Sequence, residues 1–444
     1  MTESWTFSTL GEIAAPGSNG LVDGPFGSNL PASSYRLSGV PVVRGSNLSL
    51  GPGLLKDTDF VFVDEAFAQK LSRSLCSAND IIFTKKGTLG QTGFVPSSAR
   101  YKRYLLSSNQ MKLTVNEQIA DPKFVYYFVS SQSSIDKIIR DAEATGVPKT
   151  NVAYLKSFPI FLPPIDEQRS ISSLLSSLDD KIELNRRMNE TLEAMAQAIF
   201  RDWFVDFGPT RRKLDGATDP VTIMGGLVQD AERAQALADL FPAALGDDGL
   251  PEGWRTGELG DGFDTVMGQS PPGTSYNGDG IGLPFFQGRR DFGFRFPQNR
   301  VYCTSPSRIA EDNWTLISVR APVGDVNRSR QRCCIGRGVG AILHRQSLPT
   351  LTYYTMLELK PLLARFDGDG TVFGSINQKQ VKSLPVVLAT AGIIQQFEIL
   401  VSPLDELIRT KSDEVETLAS TRDLLLPKLM SGEIRLGEGV EVAA

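Results

Sequence analysis

The sequence predicts an α+β protein in which one globular domain followed by one long helix occurs twice. Three observations lead there. The two halves of the 444-residue chain can be laid on each other almost end to end. The first part of each half carries short apolar runs set among Gly, Pro and Ser. The last part of each half carries apolar residues at alternating spacings of four and three.

The repeat runs from Glu3 to about Phe204 and again from Glu252 to about Met430. E-S-W-T-F-S-T-L-G-E (Glu3 to Glu12) matches E-G-W-R-T-G-E-L-G-D (Glu252 to Asp261). V-P-V-V-R-G (Val40 to Gly45) matches L-P-F-F-Q-G (Leu283 to Gly288). I-F-T-K-K-G-T-L-G (Ile82 to Gly90) faces L-I-S-V-R-A-P-V-G (Leu316 to Gly324), and N-V-A-Y-L-K-S-F-P (Asn151 to Pro159) faces N-Q-K-Q-V-K-S-L-P (Asn377 to Pro385). Each copy is far longer than a solenoid unit, so the sequence describes a duplicated domain and not an array. Two diverged copies suit one kind of task carried out at two places.

In chain order, the first globular part covers residues 1–161. Its strand-like runs include Val40-Pro41-Val42-Val43 and Asp80-Ile81-Ile82-Phe83, with a helical stretch near Phe124 to Ala142. Residues 162–207 form the first long helix. Ile171, Leu175, Leu178, Ile182, Asn185, Asn189, Leu192, Ala196, Ile199 and Trp203 share one face at a mean repeat of 3.5, the spacing of a coiled-coil seam. Pro163-Pro164 with Asp166 and Glu167 provides a good helix start, because acids favour the positive end of the dipole. At about 40 residues and 1.5 Å per residue, this helix reaches about 60 Å, more than is needed to cover its own domain. Residues 208–250 read as a linker with a short helix from Val228 to Ala238. The second globular part, 251–388, has runs at Leu316-Ile317-Ser318-Val319 and Val339 to Leu343, with a helix near Leu351 to Arg365. Residues 389–435 repeat the seam through Phe397, Val401, Leu404, Ile408, Lys411, Val415, Leu418, Arg422, Leu425 and Leu429. Residues 436–444 read as a frayed tail.

Bulk composition narrows the function classes. Apolar residues make up 41% and charged residues 22%, ordinary for a globular protein. No basic-then-apolar leader opens the chain, and no apolar run nears the ~20 residues of a membrane span. The four cysteines show no CxxC spacing, so a reduced, cytoplasmic protein is expected. The net charge is -5, but it is segregated. Lys70 to Lys112 holds eight basic residues and one acid, and Ile281 to Arg345 holds eleven arginines and four acids, a net +7 in each. The two stretches fall in corresponding parts of the copies, and local field, not net charge, decides whether phosphates are attracted. A plain solvated face is the competing explanation for either stretch alone.

Catalytic patterns are missing. There is no Walker-type loop, no G-x-G-x-x-G between strand and helix, and no H-E-x-x-H. A triad would have to pass through His344, the single histidine, at the end of a strand. The same shortage argues against a Cys/His metal cage. D-G-D-G at Asp367 to Gly370 lacks the later ligands of a calcium loop and reads as a tight turn. The chain reads as a binder with no cofactor of its own.

Several strings resemble the specificity (S) subunit of Type I restriction-modification systems, the HsdS family. They are L-P-P-I-D-E-Q-R (Leu162 to Arg169), K-I-E-L-N-R-R-M-N-E-T-L-E (Lys181 to Glu193), L-P-E-G-W (Leu250 to Trp254), M-G-Q-S-P-P-G-T-S-Y (Met267 to Tyr276) and L-L-L-P-K-L-M-S-G-E-I (Leu424 to Ile434). They cover essentially the whole chain in order. The second helix departs from the P-P-x-x-E-Q pattern with A-T-A-G-I-I-Q-Q-F (Ala389 to Phe397). The resemblance implies two target-recognition domains, each reading half of a split site on double-stranded DNA, and two long helices packed antiparallel as a spacer, in a pseudo-two-fold repeat. It also implies docking of adenine methyltransferase subunits and, through the assembled complex, a motor-nuclease subunit. S-adenosylmethionine, ATP and magnesium would belong to those partners.

Base contacts would specify sequence and phosphate contacts would set position. For the first domain the expected DNA-facing residues are Ser28, Asn29, Arg44, Lys85, Lys86, Lys149, Thr150 and Asn151. For the second they are Ser275, Tyr276, Gln287, Arg289, Arg290, Arg320, Ser375, Asn377, Gln378 and Lys379. All are polar or basic and lie in Gly/Pro-rich loops, where binding residues concentrate. Asn151 and Asn377 equally fit helix N-caps. Three other readings stay open: a modification-only subunit without a nuclease, a coiled-coil adapter between proteins, and a self-contained enzyme acting on DNA.

Overall fold

The computed structural model describes residues 5–53, 55–143, 149–368 and 374–436. The chain divides into two units, Met1–Arg186 with Ser412–Ala444, and Arg187–Lys411. Both divisions fall inside the long helices, Ile165–Phe204 and Ala391–Met430, so each unit holds one globular domain and half of each helix. The expected tail beyond residue 436 and residues 146–148 of the G-V-P-K-T-N segment lie outside the described residues, as do Asp369 and Gly370.

In the first unit, apolar β-rich runs give two four-stranded sheets. One has the order Leu21–Asp23, Gln110–Leu113, Ile81–Thr84, Thr92–Phe94, antiparallel throughout. The other has the order Val61–Val63, Val40–Val43, Tyr104–Leu106, Leu75–Cys76, with its middle strands parallel. A separate pair, Thr6–Thr9 with Pro159–Leu162, ties the start of the domain to the strand that leads into the first long helix. The helical stretch expected near Phe124 to Ala142 is two helices, Pro122–Val129 and Gln132–Glu143. Ser130 and Ser131 separate them, each turning its hydroxyl back to a carbonyl, Tyr126 and Phe128, at 2.7 Å. Such local bonds compete with helix continuation.

The second unit repeats this plan. Its four-stranded sheet runs Phe263–Met267, Val339–His344, Thr315–Ser318, Val326–Arg328. Its other sheet gains one strand, in the order Tyr276–Asn277, Tyr302–Cys303, Leu283–Phe286, Cys333–Ile335, Ile309–Ala310. Leu283–Phe286 and Cys333–Ile335 are the parallel pair here. Arg255–Glu258 with Pro385–Leu388 mirrors the pair at the start of the first domain. Gly24 and Gly268 make the correspondence close. A Cβ on Gly24 would stand 2.0 Å from the Ser107 carbonyl oxygen, and one on Gly268 2.2 Å from that of Gly336. Only a residue without a side chain fits there.

The expected linker is in fact packed. It forms helices Gly208–Leu214, Pro220–Ile223 and Ala231–Ala238, the last two capped by Asp219 and Asp230. Arg212 grips Asp202 with two bonds at 2.9 and 2.8 Å. Met224, Leu237 and Phe241 join the core around Trp203, whose ring meets Phe241 edge-on at 5.1 Å. Asp219 and Asp230 cap these short helices, and Gly216, Gly225 and Gly226, all at positive φ, make turns between them.

Within each unit the helix halves run antiparallel. In the first, Asp179 meets Arg422 at 2.6 Å and Lys181 meets Glu414 at 3.6 Å. In the second, Phe200, Trp203 and Phe204 surround Phe397, with centroids 5.7, 6.0 and 5.2 Å away. Each domain also plants a tyrosine on a helix carboxylate. Tyr127 donates to Asp179 at 2.6 Å, and Tyr354 donates to Asp405 at 3.1 Å. Asp405 is 3% exposed and further accepts from Thr350 at 2.8 Å, from Arg328 at 2.6 Å and from Arg295. Arg295 also bonds Glu193 at 3.2 Å and lies over the Tyr353 ring at 3.7 Å. Burial raises the pKa of Glu193 above the usual carboxylate range despite Arg295.

Candidate nucleic-acid interface

Four segments of the first domain converge on one polar cavity of about 570 Å³. They are the turn after Val40–Val43, the turn after Ile81–Thr84, Gln91, and the loop Ser107 to Gln110; Tyr35 completes the lining. Arg44 follows the buried strand Val40–Val43 and opens a short 3₁₀ turn, Gly45–Asn47. The Asn47 side chain accepts from the Arg44 backbone N–H at 3.0 Å, which fixes where the arginine leaves the sheet. Its Nη2 donates to the Asp59 carbonyl at 2.7 Å. Lys86 lies on the same rim and forms an isolated bridge with Lys149. Thr150 binds beside them, its N–H donating to the Lys85 carbonyl at 3.0 Å and its hydroxyl to the Thr84 carbonyl at 3.4 Å. Arg44, Lys86, Lys149 and Thr150, far apart in sequence, are thus one local group.

The remaining expected residues of this domain take other places. Lys85 pairs with Asp23 at 2.9 Å and is half-buried. Asn151 caps the helix Val152–Ser157, accepting from Tyr154 N–H at 2.8 Å. Ser28 and Asn29 form an exposed 3₁₀ turn, and Asn29 borders a second cavity of about 720 Å³ that also meets Lys70, Arg73, Lys156 and the exposed ring of Phe26.

The second domain builds the same rim from different side chains. Gln287 takes the place of Arg44, its backbone N–H donating to Asp291 at 2.7 Å, and a 3₁₀ turn, Arg289–Asp291, follows. Arg320 takes the place of Lys86, and its isolated bridge is to Ser375. Ile376 N–H donates to the Val319 carbonyl at 3.0 Å, as Thr150 does to Lys85. Arg320 is exposed and makes no ion pair with the described residues. Arg289 pairs with Asp325, whose carboxyl lies below the usual range because Lys360 and Arg289 together outweigh its burial. The Arg290 side chain is exposed, and its carbonyl accepts from Arg300 at 2.9 Å. Asn377 caps Gln378–Lys382 in a reciprocal box with Gln380, Gln378 donates to the Thr265 carbonyl at 2.9 Å, and Lys379 is exposed. Ser275 is 8% exposed and turned inward, bonding the Pro272 carbonyl at 2.7 Å. Tyr276 stacks on Phe285 at 4.6 Å and donates to the Pro271 carbonyl at 2.8 Å. The hydroxyls of these last two are engaged within the domain.

The basic stretches are less superficial than their residue counts suggest. Lys112 is buried against Asp80 at 3.0 Å, and Arg295 and Arg328 point into the core toward Asp405. Sequence reasoning also missed residues on the rims. Gln91, Gln110 and Ser107 to Asn109 line the first cavity. The parallel registers Val43↔Leu106 and Phe286↔Ile335 place exposed Arg337 opposite that loop in the second domain. Extending the repeat alignment through these strands would have found it.

His344 stands edge-on to Phe263 at 4.9 Å, and its Nδ1 accepts from Gln346 N–H at 3.2 Å. Burial and then Arg345 lower its pKa. It borders an apolar cavity of about 290 Å³ with Phe200, Phe204, Phe207 and Leu388. Thr355 also lines that cavity, its hydroxyl donating to the Leu351 carbonyl at 2.7 Å. Among the described residues there is no group of three side chains able to hold a metal ion, and no helix is long and apolar enough to cross a membrane.

Residues 33–194 match the family model described as Type I restriction modification DNA specificity domain. The chain is 26% identical over 441 residues to a putative type I restriction enzyme MjaX specificity subunit of Methanocaldococcus jannaschii, covering 98% of this chain and 94% of the relative. It is 25% identical over 409 residues to the Type I restriction enzyme HindI specificity subunit of Haemophilus influenzae, covering 79% and 87%. The fold is similar to the crystal structure of the Type-I restriction-modification system S subunit from M. genitalium, with a TM-score of 0.56, 16% identity and 96% of each chain covered. Over nearly its whole length the chain is thus similar to specificity subunits of Type I restriction-modification systems, and it shares the fold of one.

Proposed function

We propose that the chain is the DNA-specificity subunit of a Type I restriction-modification complex, each domain reading one half of an asymmetric, bipartite site. One observation carries this reading: the same polar rim is built twice from matched backbone positions with unlike side chains. Arg44, Lys86 and Lys149 stand on one rim, and Gln287, Arg320 and Ser375 on the other. A shared backbone frame supports one mode of docking, and the exchanged side chains support two different readings. Lys86 and Arg320 keep a cation at one position of each rim, as phosphate contacts require. The long helices are the proposed spacer and the docking frame for adenine methyltransferase subunits, with a motor-nuclease subunit joining the assembled complex. The methyl-transfer and nucleotide chemistry is assigned to those partners.

The test uses the chain co-purified with its cognate methyltransferase subunit. Affinity for duplex DNA should fall steeply as salt rises, because cations released from phosphates enter the equilibrium. Changing Lys86 and Lys149 together to Ala should lower affinity on every sequence and flatten the salt slope by about two contacts. Weak binding that is nearly independent of salt would favour the adapter reading instead.

A further inference from the structure

We infer that Arg44 and Gln287 occupy one equivalent base-reading position in the two domains, and that their difference sets a guanine preference in one half-site and an adenine preference in the other. This rests on the function proposed above and adds which residues divide the two specificities.

Both residues leave the sheet from the same place. Each follows a strand whose last paired residues lie parallel to a neighbour, Val43 on Leu106 and Phe286 on Ile335. Each has its backbone N–H held by the side chain that ends the following 3₁₀ turn, Asn47 at 3.0 Å and Asp291 at 2.7 Å. Each is followed by glycine, Gly45 or Gly288. The exit from the sheet is therefore shared, the second turn beginning one residue later because Gly288 and not Gln287 is its N-cap, and the side chain is the main variable. The tether of Arg44 to the Asp59 carbonyl occupies one of its five N–H donors and orients the rest. Gln287 is exposed, with no side-chain partner among the described residues.

The exchange differs in kind from its neighbours on the rims. Lys86 to Arg320 keeps a cation, which suits phosphate. Lys149 to Ser375 removes one, which changes affinity more than readout. Arg44 to Gln287 replaces a donor fork with a donor–acceptor pair. In the major groove the fork fits the two acceptors of guanine, and the amide fits the acceptor and donor of adenine.

The experiment maps methylated motifs in cells carrying the complete chain with its cognate methyltransferase, for the unaltered protein, Arg44→Gln and Gln287→Arg. Arg44→Gln should move the preference at one base pair of one half-site from guanine toward adenine by roughly ten- to a hundred-fold, leaving the other half unaltered. Gln287→Arg should do the reverse in the other half. Unchanged base preferences in both variants overturn the inference while leaving the function reading intact. Absence of a two-part motif with the unaltered chain overturns the function reading itself. Where a variant complex does not methylate, Arg44→Lys keeps the cation and loses the fork, and its purified complex is tested by competition with singly permuted duplexes. Loss of selectivity confined to one base pair supports the assignment. An even loss across all sequences refutes it, since that is the signature of a phosphate contact or a structural role.

Discussion

Asp405 offers the sharpest test of how a domain is fixed to its helices. Its two carboxylate oxygens serve Arg295, Arg328, Thr350 and Tyr354, and it is 3% exposed. Arg295 and Arg328 are themselves 1% and 4% exposed. Asp405→Asn keeps the shape and removes the charge, so Arg328 loses its ion-pair partner and Arg295 keeps only Glu193. Breaking a buried pair from one side costs about 3–5 kcal/mol, because a desolvated charge is left uncompensated. For a unit of this size each kcal/mol moves Tm by about 2–4 °C, so the transition of the second unit should fall by roughly 6–20 °C. Differential scanning calorimetry on the purified chain reads this directly. Asp179→Asn in the first unit should cost less, about 1–3 kcal/mol, since it faces one arginine at the rim of the core, Arg422. An Asp405→Asn protein that unfolds within about 1 kcal/mol of the parent would show that the network does not hold the domain on its helices.

Two further outcomes follow. His344 is the single histidine, and burial holds its pKa below the ordinary 6.5. The native state then binds fewer protons than the unfolded chain, so its contribution is complete above about pH 6.5 and is lost as pH falls through that value toward the lowered folded pKa; chemical denaturation between pH 5 and 7 should show this slope, and His344→Gln should flatten it. Gly24→Ala and Gly268→Ala each drive a Cβ onto a backbone carbonyl, at 2.0 and 2.2 Å, and each should destabilise its own unit by about 1–3 kcal/mol in urea titrations.

The features set by local pattern were legible from the chain. The repeat, the alternating seams and the strand runs Val40–Val43 and Val339–His344 need only neighbouring residues to declare themselves. The packed linker was not legible, because Asp219 and Asp230 cap helices whose burial depends on Trp203 and Trp254. The count of exposed cations also misled, for a reason of distance in sequence. Arg295 lies 110 residues from Asp405 and Arg328 lies 77 from it, so nothing local marks either as a core residue. Ser275 differs: its hydroxyl closes a turn onto the Pro272 carbonyl, and the residue is buried. Arg44, Lys86 and Lys149 were expected at the surface because polar residues in glycine-rich turns between buried strands have few other places to go, and the fold brings them together.

The central claim is that two matched but unlike rims read two unlike half-sites. Genome-wide mapping of methylated adenines in cells expressing the chain with its cognate methyltransferase tests it most directly. The expected result is one motif of two different blocks separated by a fixed, unread gap, with one modified adenine in each block. An uninterrupted motif, or two identical blocks in inverted order, would contradict it.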